Sequence, residues 1–221
     1  MSLNKSTGNM YEFVTHTWNT VKGECYHDCS YCYMKRWGKL NPIRFDEKEL
    51  KTDLGKNNFI FVGSSNDLFA EDVPQEWIDK TINHCKNFRK NDYLFQTKNP
   101  MRLGKLLPPQ YKACVTLETN RHYPEIMQNS PKPKDRVMAA CRMAHELYIT
   151  IEPIMDFDID EFVMMLKSCK PKQVNIGADS GNHKLPEPSS EKVLQLIEEL
   201  KTFTTIHKKR NLGRLTKNAG K

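Results

Sequence analysis

Gly23-Glu24-Cys25-Tyr26-His27-Asp28-Cys29-Ser30-Tyr31-Cys32-Tyr33 carries three cysteines at C-x3-C-x2-C spacing, with Tyr31 directly before the last of them. Three thiolates on one short loop supply three of the four ligands that a cubane iron–sulfur cluster takes. The iron left without a thiolate is open to a small molecule. Zinc is the competing reading, with His16 or His27 joining the same three thiolates. Zinc sites more often pair C-x2-C knuckles, and no second pair is present. The spacing therefore favours the cluster, with Cys25, Cys29 and Cys32 as metal ligands and Tyr31 as a wall beside whatever binds the open iron.

Around this loop, 221 residues suffice for one domain with a substantial core. Cys85, Cys114, Cys141 and Cys169 are scattered, and seven cysteines is an odd total. Small secreted domains usually carry an even disulfide framework, so reduced thiols are expected here. No apolar run approaches a membrane span, and the first residues lack the apolar segment of a signal peptide. The expected location is the cytoplasm, with no membrane partner.

The loop follows a candidate first strand, Tyr11–Trp18, and leads into a short helix from about Tyr33. Five more apolar runs read as strands: Asn58–Val62, Tyr93–Gln96, Ala113–Leu117, Leu147–Ile151 and Gln173–Ile176. Helical patterns separate them. Pro74 opens one that runs to about Asn87, and a short one ends at Leu106. Others cover Lys134–Glu146, Asp158–Ser168 and Ser190–Thr202. Six βα units imply right-handed crossovers and a parallel sheet. The expected fold is α/β, a partial (β/α)6 TIM-like barrel; an open doubly wound sheet is the rival.

Chemistry in parallel barrels sits at the C-terminal strand ends. Those ends are polar here: Gly63-Ser64-Ser65-Asn66-Asp67, Gln96-Thr97-Lys98, Glu118-Thr119-Asn120, Glu152-Pro153 and Gly177-Ala178-Asp179-Ser180-Gly181. Alternation puts Cys114, Thr116 and Glu118 on one face of their strand, and Tyr148, Thr150 and Glu152 on one face of the next. A polar inner face suits a polar ligand. For any single strand end the plain explanation is that loops are polar. The coincidence of five such ends with one cysteine loop points to a site.

With these motifs in place, the chain resembles the radical S-adenosylmethionine (SAM) superfamily, through C-x3-C-x-aromatic-C after strand one. More of it is similar to the phage-associated radical SAM family of unassigned function. That similarity is carried by Thr17-Trp18-Asn19, Val62-Gly63-Ser64-Ser65-Asn66-Asp67-Leu68-Phe69, Gln96-Thr97-Lys98-Asn99-Pro100, Val115-Thr116-Leu117-Glu118-Thr119-Asn120 and Ile151-Glu152-Pro153. The resemblance implies a 4Fe-4S cluster and SAM as cofactors, and a partial barrel of the radical SAM type. It further implies cleavage of SAM to a 5′-deoxyadenosyl radical, which abstracts hydrogen from a substrate. By position it implies Gly63, Ser64 and Asn66 near the SAM amino group, with Tyr31, Gln96 and Glu118 also cofactor-facing. Two departures stand out. The first cysteine spacing is shorter than in many relatives, and the superfamily's Gly-Gly-Glu is here Gly63-Ser64-Ser65. Spore photoproduct lyase shares the general plan and uses a cysteine as hydrogen-atom donor. On that analogy Cys114, on the inner face, and Cys141, in a helix, are the available thiols; Cys114, with Glu152 from its position at a strand end, gives the catalytic candidates.

The net charge of +7 is concentrated at one end. Lys208, Lys209, Arg210, Arg214, Lys217 and Lys221 account for nearly all of it, and residues 207–221 contain no acid. The expected organisation is a barrel domain over 1–206 and a basic tail over 207–221, solvated or holding phosphates. The substrate expected is a nucleic acid or nucleotide, with an electron donor such as a flavodoxin or ferredoxin. A peptide or small metabolite is the alternative substrate, and a zinc-stabilised nucleic-acid-binding module the alternative of another class.

Overall fold

Residues 3–216 are described by a computed structural model. Among these residues ten strands form in chain order: β1 (Asn4–Lys5), β2 (His16–Trp18), β3 (Val21–Lys22), β4 (Arg44–Phe45), β5 (Phe59–Val62), β6 (Asp92–Thr97), β7 (Lys112–Thr116), β8 (Leu147–Ile151), β9 (Gln173–Ile176) and β10 (Thr205–Lys208). Among the described residues seven α-helices accompany them, besides short 3-10 turns: α1 (Gln75–Lys86), α2 (Pro100–Leu106), α3 (Pro124–Met127), α4 (Pro133–Ala140), α5 (Ile159–Ser168), α6 (Ser190–Lys201) and α7 (Gly213–Thr216).

One sheet holds eight strands in the order β1-β2-β5-β6-β7-β8-β9-β10, and β3 pairs with β4 in a separate ribbon. Within the eight-stranded sheet every pairing from β2 to β10 is parallel, and β1 joins β2 antiparallel; the β3–β4 ribbon is antiparallel. The parallel strands follow chain order without reversal, so the switch point of a doubly wound sheet is missing. The result is an unclosed α/β sheet, a partial TIM-like barrel.

Helix amphipathicity explains the outer layer. Val193, Leu196, Ile197 and Leu200 of α6 recur along one face and are buried. They join Phe162 and Leu166 of α5 and the outward side chains Val115, Ile149, Ile151, Val174 and Ile176. A second apolar layer packs Ile78, Ile82 and Cys85 of α1 against Ile60, Val62, Tyr93 and Phe95. Burying each such side chain contributes roughly 1.5–3 kcal/mol. All five residues of β8 are buried, as expected for a strand covered on both faces.

Three expectations change. The first strand is only His16–Trp18. Tyr11, Phe13 and Val14 instead lie across the inner face of the sheet with Phe59, Phe61, Leu94, Cys114 and Tyr148. Tyr11 and Phe13 stack at 5.3 Å, and Phe13 meets His207 edge-on at 5.8 Å. An aromatic run favours strand by propensity, but here the unfilled interior of an unclosed barrel offers it more burial. The helix expected over Lys134–Glu146 stops at Ala140. Met143 beyond it packs against both outer apolar layers.

The expected boundary at 206/207 falls inside β10, which pairs with β9 through Thr205–Lys208. Lys209 is buried and Leu212 belongs to the outer core. Residues 207–216 are thus part of the fold, while Lys217 and Lys221 lie outside the described residues. The strand escaped the sequence pattern because Thr-Ile-His-Lys has one aliphatic residue and no alternation. Among the described residues no helix is long and apolar enough to cross a membrane.

Cys141 and Cys169 cap the C-terminal ends of α4 and α5, with their sulfurs 3.0 Å apart. Cys141 is exposed and Cys169 buried. Hydrogen peroxide should join them, converting two thiols and one peroxide to a disulfide and two waters. The intact mass should fall by two hydrogens, and Cys141→Ser should abolish that change.

Candidate active site at the strand ends

The cysteine loop leaves β2 and lies over the C-terminal ends of the neighbouring strands. Two side chains after β5 fasten it there. Asn66 Nδ2 donates to the carbonyl of Glu24 at 2.7 Å. Asp67 Oδ2 accepts from His27 Nε2 at 2.8 Å, from the Lys98 amide at 2.7 Å and from Thr97 Oγ1 at 3.0 Å; Oδ1 accepts from the Phe69 amide. Burial opposes the Asp67 charge, but His27 and the two amides outweigh it and hold the carboxyl below its usual range. One buried carboxylate thus ties the cysteine loop to the end of β6. On the other side, the Ser30 amide donates to Ile126 and the Asn129 amide to His27, so the loop also rests on α3.

None of the three loop cysteines is in a disulfide. Cys29 is buried, 3.4 Å from Ser130 Oγ. Cys25 is half-buried, and desolvation followed by the nearby Asp67 charge pushes its thiol up to about 12. Lys98 follows β6, with its ammonium 5.3 Å from the Tyr31 ring centroid and 3.9 Å from Glu118. Burial opposes that charge as well, yet Coulomb attraction to Cys29 and to the Glu118 carboxylate overcomes it and raises the lysine above its usual range.

Glu118, past the end of β7, has no exposed side-chain surface. Arg136 Nη1 of α4 donates to its Oε2 at 2.8 Å, and Tyr31 donates to its Oε1. Burial disfavours the charged carboxyl, while Arg136, Lys98 and Tyr31 together hold it below its usual range. Tyr31 and Glu118, read separately from the sequence as cofactor-facing, are therefore bonded to one another. Gln96 accepts from Tyr11 OH at 2.7 Å and donates to Thr116 at 3.1 Å.

Gly63 takes φ +79°, which lets the chain turn immediately after β5. Beyond it, Asn19 Oδ1 accepts from the Ser65 amide and from Ser64 Oγ, and the Ser64 carbonyl accepts from Tyr33 OH. Asn66 Oδ1 is buried without a hydrogen-bond partner. An orphaned acceptor of this kind calls for a donor from outside the chain.

Further across the inner face, Glu152 follows β8. It accepts from Asn9 at 2.8 Å and Asn211 at 3.2 Å on Oε1, and from Lys209 on Oε2. The Lys209 ammonium also lies 4.6 Å from the Tyr11 ring centroid. Cys114 is fully buried in the aromatic cluster, and desolvation raises its thiol. Both catalytic candidates thus sit on the inner face, Cys114 deep and Glu152 ringed by polar donors. A methyl group at Gly177 would stand 2.6 Å from Glu152 Oε1. Gly177→Ala is expected to displace Glu152 from Lys209 and cost about 1–3 kcal/mol, read as a lower urea midpoint at unchanged slope.

The sequence did not single out Asp67, Lys98, Arg136, Tyr11 or Lys209. Asp67 and Lys98 belong to motifs already noticed at strand ends, which was the available signal. Arg136 carried none, and Lys209 stood out only as part of the basic tail, because each meets its carboxylate across many residues of chain.

The donor set suits a cluster better than a single ion. Among the described residues no three His, Cys, Asp or Glu side chains converge as ligands of one metal. Neither His27, whose Nε2 bonds Asp67, nor His16, whose Nδ1 lies 2.9 Å from Thr15 Oγ1, joins the loop thiols in such a group. A zinc ion draws its sulfurs to about 2.3 Å, whereas a cubane takes each thiolate on a separate iron. Three unpaired thiols on one anchored loop, beside a buried orphan acceptor, fit the larger group.

Sheet and strand-end site together define a partial α/β barrel with the fold of spore photoproduct lyase. A mutant of that enzyme with bound AdoMet and dinucleoside spore photoproduct aligns at TM-score 0.65 and 12% identity, over 92% of this chain and 80% of the other. The enzyme complexed with dinucleoside spore photoproduct aligns at TM-score 0.65 and 13% identity, over 91% and 78%. The chain belongs to the DUF5131 family, whose model matches residues 9–190 under the description "protein of unknown function". That description assigns neither an activity nor a link to phage. No curated protein matches the chain.

Proposed function

We propose that the protein is a radical SAM enzyme in which Cys25, Cys29 and Cys32 hold a 4Fe-4S cluster and the neighbouring strand ends hold S-adenosylmethionine. Bound together, these groups supply one-electron cleavage of the sulfonium and hydrogen abstraction from a substrate. The observation that carries the reading is three unpaired thiols on a loop fastened over the strand ends of this fold, beside the orphaned Asn66 Oδ1.

The chain's own groups have separable tasks in this reading. Asn66 Oδ1 accepts from the amino group of SAM, and Lys98 supplies positive charge for its carboxylate. Gly63 keeps the backbone low beside the cofactor. Asp67 holds the loop through His27. The Tyr11–Phe13 plug closes the inner face and excludes water from the reacting region. Glu152 offers the substrate a polar contact, and Cys114, the candidate hydrogen donor, lies beneath the Tyr11–Phe13 plug, which has to shift for a substrate to reach it.

The substrate class proposed is a nucleic acid or nucleotide, modified or repaired. Its support is the fold shared with an enzyme whose structure is complexed with dinucleoside spore photoproduct, together with the chain's positive charge. Reducing equivalents come from a flavodoxin or ferredoxin. Seven unpaired cysteines suit a reducing cytoplasm. Anaerobic reconstitution followed by dithionite reduction tests the reading directly. A brown protein that forms 5′-deoxyadenosine from SAM is the expected result; a colourless protein with one zinc overturns it.

A further inference from the structure

We propose that Tyr33, Arg36 and Trp37 form a stacking platform that receives a single-stranded nucleic acid beside the cysteine loop. The proposal rests on the nucleic-acid reading above and names the surface that reading needs.

Cys32 is the N-cap of a 3-10 helix over Tyr33–Trp37, so the platform begins one residue after the last loop thiol. Trp37 is 68% exposed and Tyr33 43% exposed, although the core clusters account for nearly every other large aromatic. The Arg36 guanidinium carbon lies 4.9 Å from the Trp37 centroid and 5.6 Å from the Tyr33 centroid. Tyr33 OH donates to the Ser64 carbonyl at 2.8 Å, which anchors this strip to the strand-end loop after β5. Three flat π-surfaces are therefore presented to solvent with one end tied to the site.

Charge along the strip points to the same ligand. Residues 33–44 carry Lys35, Arg36, Lys39 and Arg44 and no acid. Lys35 is paired with Asp28 at 2.6 Å, and Tyr26 on the same loop is 41% exposed. Exposed rings interleaved with cations match a polymer that offers a base face and a phosphate at each step. An acidic protein would satisfy the cations and leave the rings without stacking partners. Duplex DNA would likewise hide its base faces, so a single strand or an unstacked lesion fits best.

Intrinsic fluorescence can test this on the full chain. Trp18 is buried and Trp77 partly buried, which leaves Trp37 as the tryptophan a base can reach. Titration with a short oligothymidylate should quench the emission at low salt, with affinity falling as salt rises. Trp37→Ala should remove the quench and weaken binding by about tenfold or more, while Trp37→Phe should keep most of the affinity. Arg36→Ala should weaken binding less than Trp37→Ala. Oligothymidylate binding that is equal in wild type and Trp37→Ala overturns the platform. So does quenching by an acidic flavodoxin with none by the oligonucleotide, which would assign the strip to a protein partner. Reductive SAM cleavage by the wild type is measured separately, so failure of the platform and failure of the radical SAM reading are distinct results.

Discussion

Reconstituted Cys29→Ala protein is expected to lose the iron complement of about four per chain and to form 5′-deoxyadenosine no faster than background. The loop provides three thiolates, so one substitution leaves two. Cys29 is the most enclosed of the three, lodged between Ser130 and the Met127 carbonyl, and water has little room to replace it. Even outer partners of metal ligands cost 10–100-fold when removed, so a ligand itself should cost at least about a hundredfold. Cys141→Ser, with an exposed thiol on the outer helices, is the matched control and should retain both iron and SAM cleavage. Cleavage by Cys29→Ala at the wild-type rate would sink the proposed function.

Arg136→Met is expected to produce the largest loss of stability, about 3–5 kcal/mol. The variant leaves Glu118 as a buried carboxylate, with Tyr31 and the more distant Lys98 ammonium as its remaining partners. Against a total of roughly 5–15 kcal/mol for a domain, that loss brings unfolding within reach of mild urea. Combining Arg136→Met with Glu118→Gln should recover much of it, since the uncompensated charge is then gone. The pH dependence has a definite sign. Glu118 is held below its usual range in the fold, so its pairing stabilises above the unfolded-state value of about 4.3. That contribution is lost as pH falls through the lower folded value, and the gap between wild type and Arg136→Met should narrow there. A gap independent of pH, with no rescue by the double substitution, would contradict the ion-pair account.

Much of this architecture was legible along the chain. The spacing of Cys25, Cys29 and Cys32 is local, and so is the alternation that puts Cys114 with Thr116 and Tyr148 with Thr150. Strands β5 to β9 announced themselves as apolar runs because both faces of the sheet are covered. Their polar C-terminal ends located the site, since in a parallel sheet those ends are neighbours whatever the sequence between them. The first strand and the last differ from their sequence pattern for a common reason: tertiary placement overrides local propensity. Tyr11 and Phe13 look like strand residues and serve as a plug, while Thr205–Lys208 looks like a basic tail and completes the sheet.

Spacing and periodicity follow from the backbone repeat of a few residues, and those the chain carries openly. Which charges neutralise one another depends on which strands and helices come to lie side by side. Glu118 with Arg136, Asp67 with His27, and Glu152 with Asn9 and Lys209 became partners only when the sheet brought distant segments together. A buried charge must find its counter-charge wherever the fold supplies one, and no short-range pattern encodes where that is.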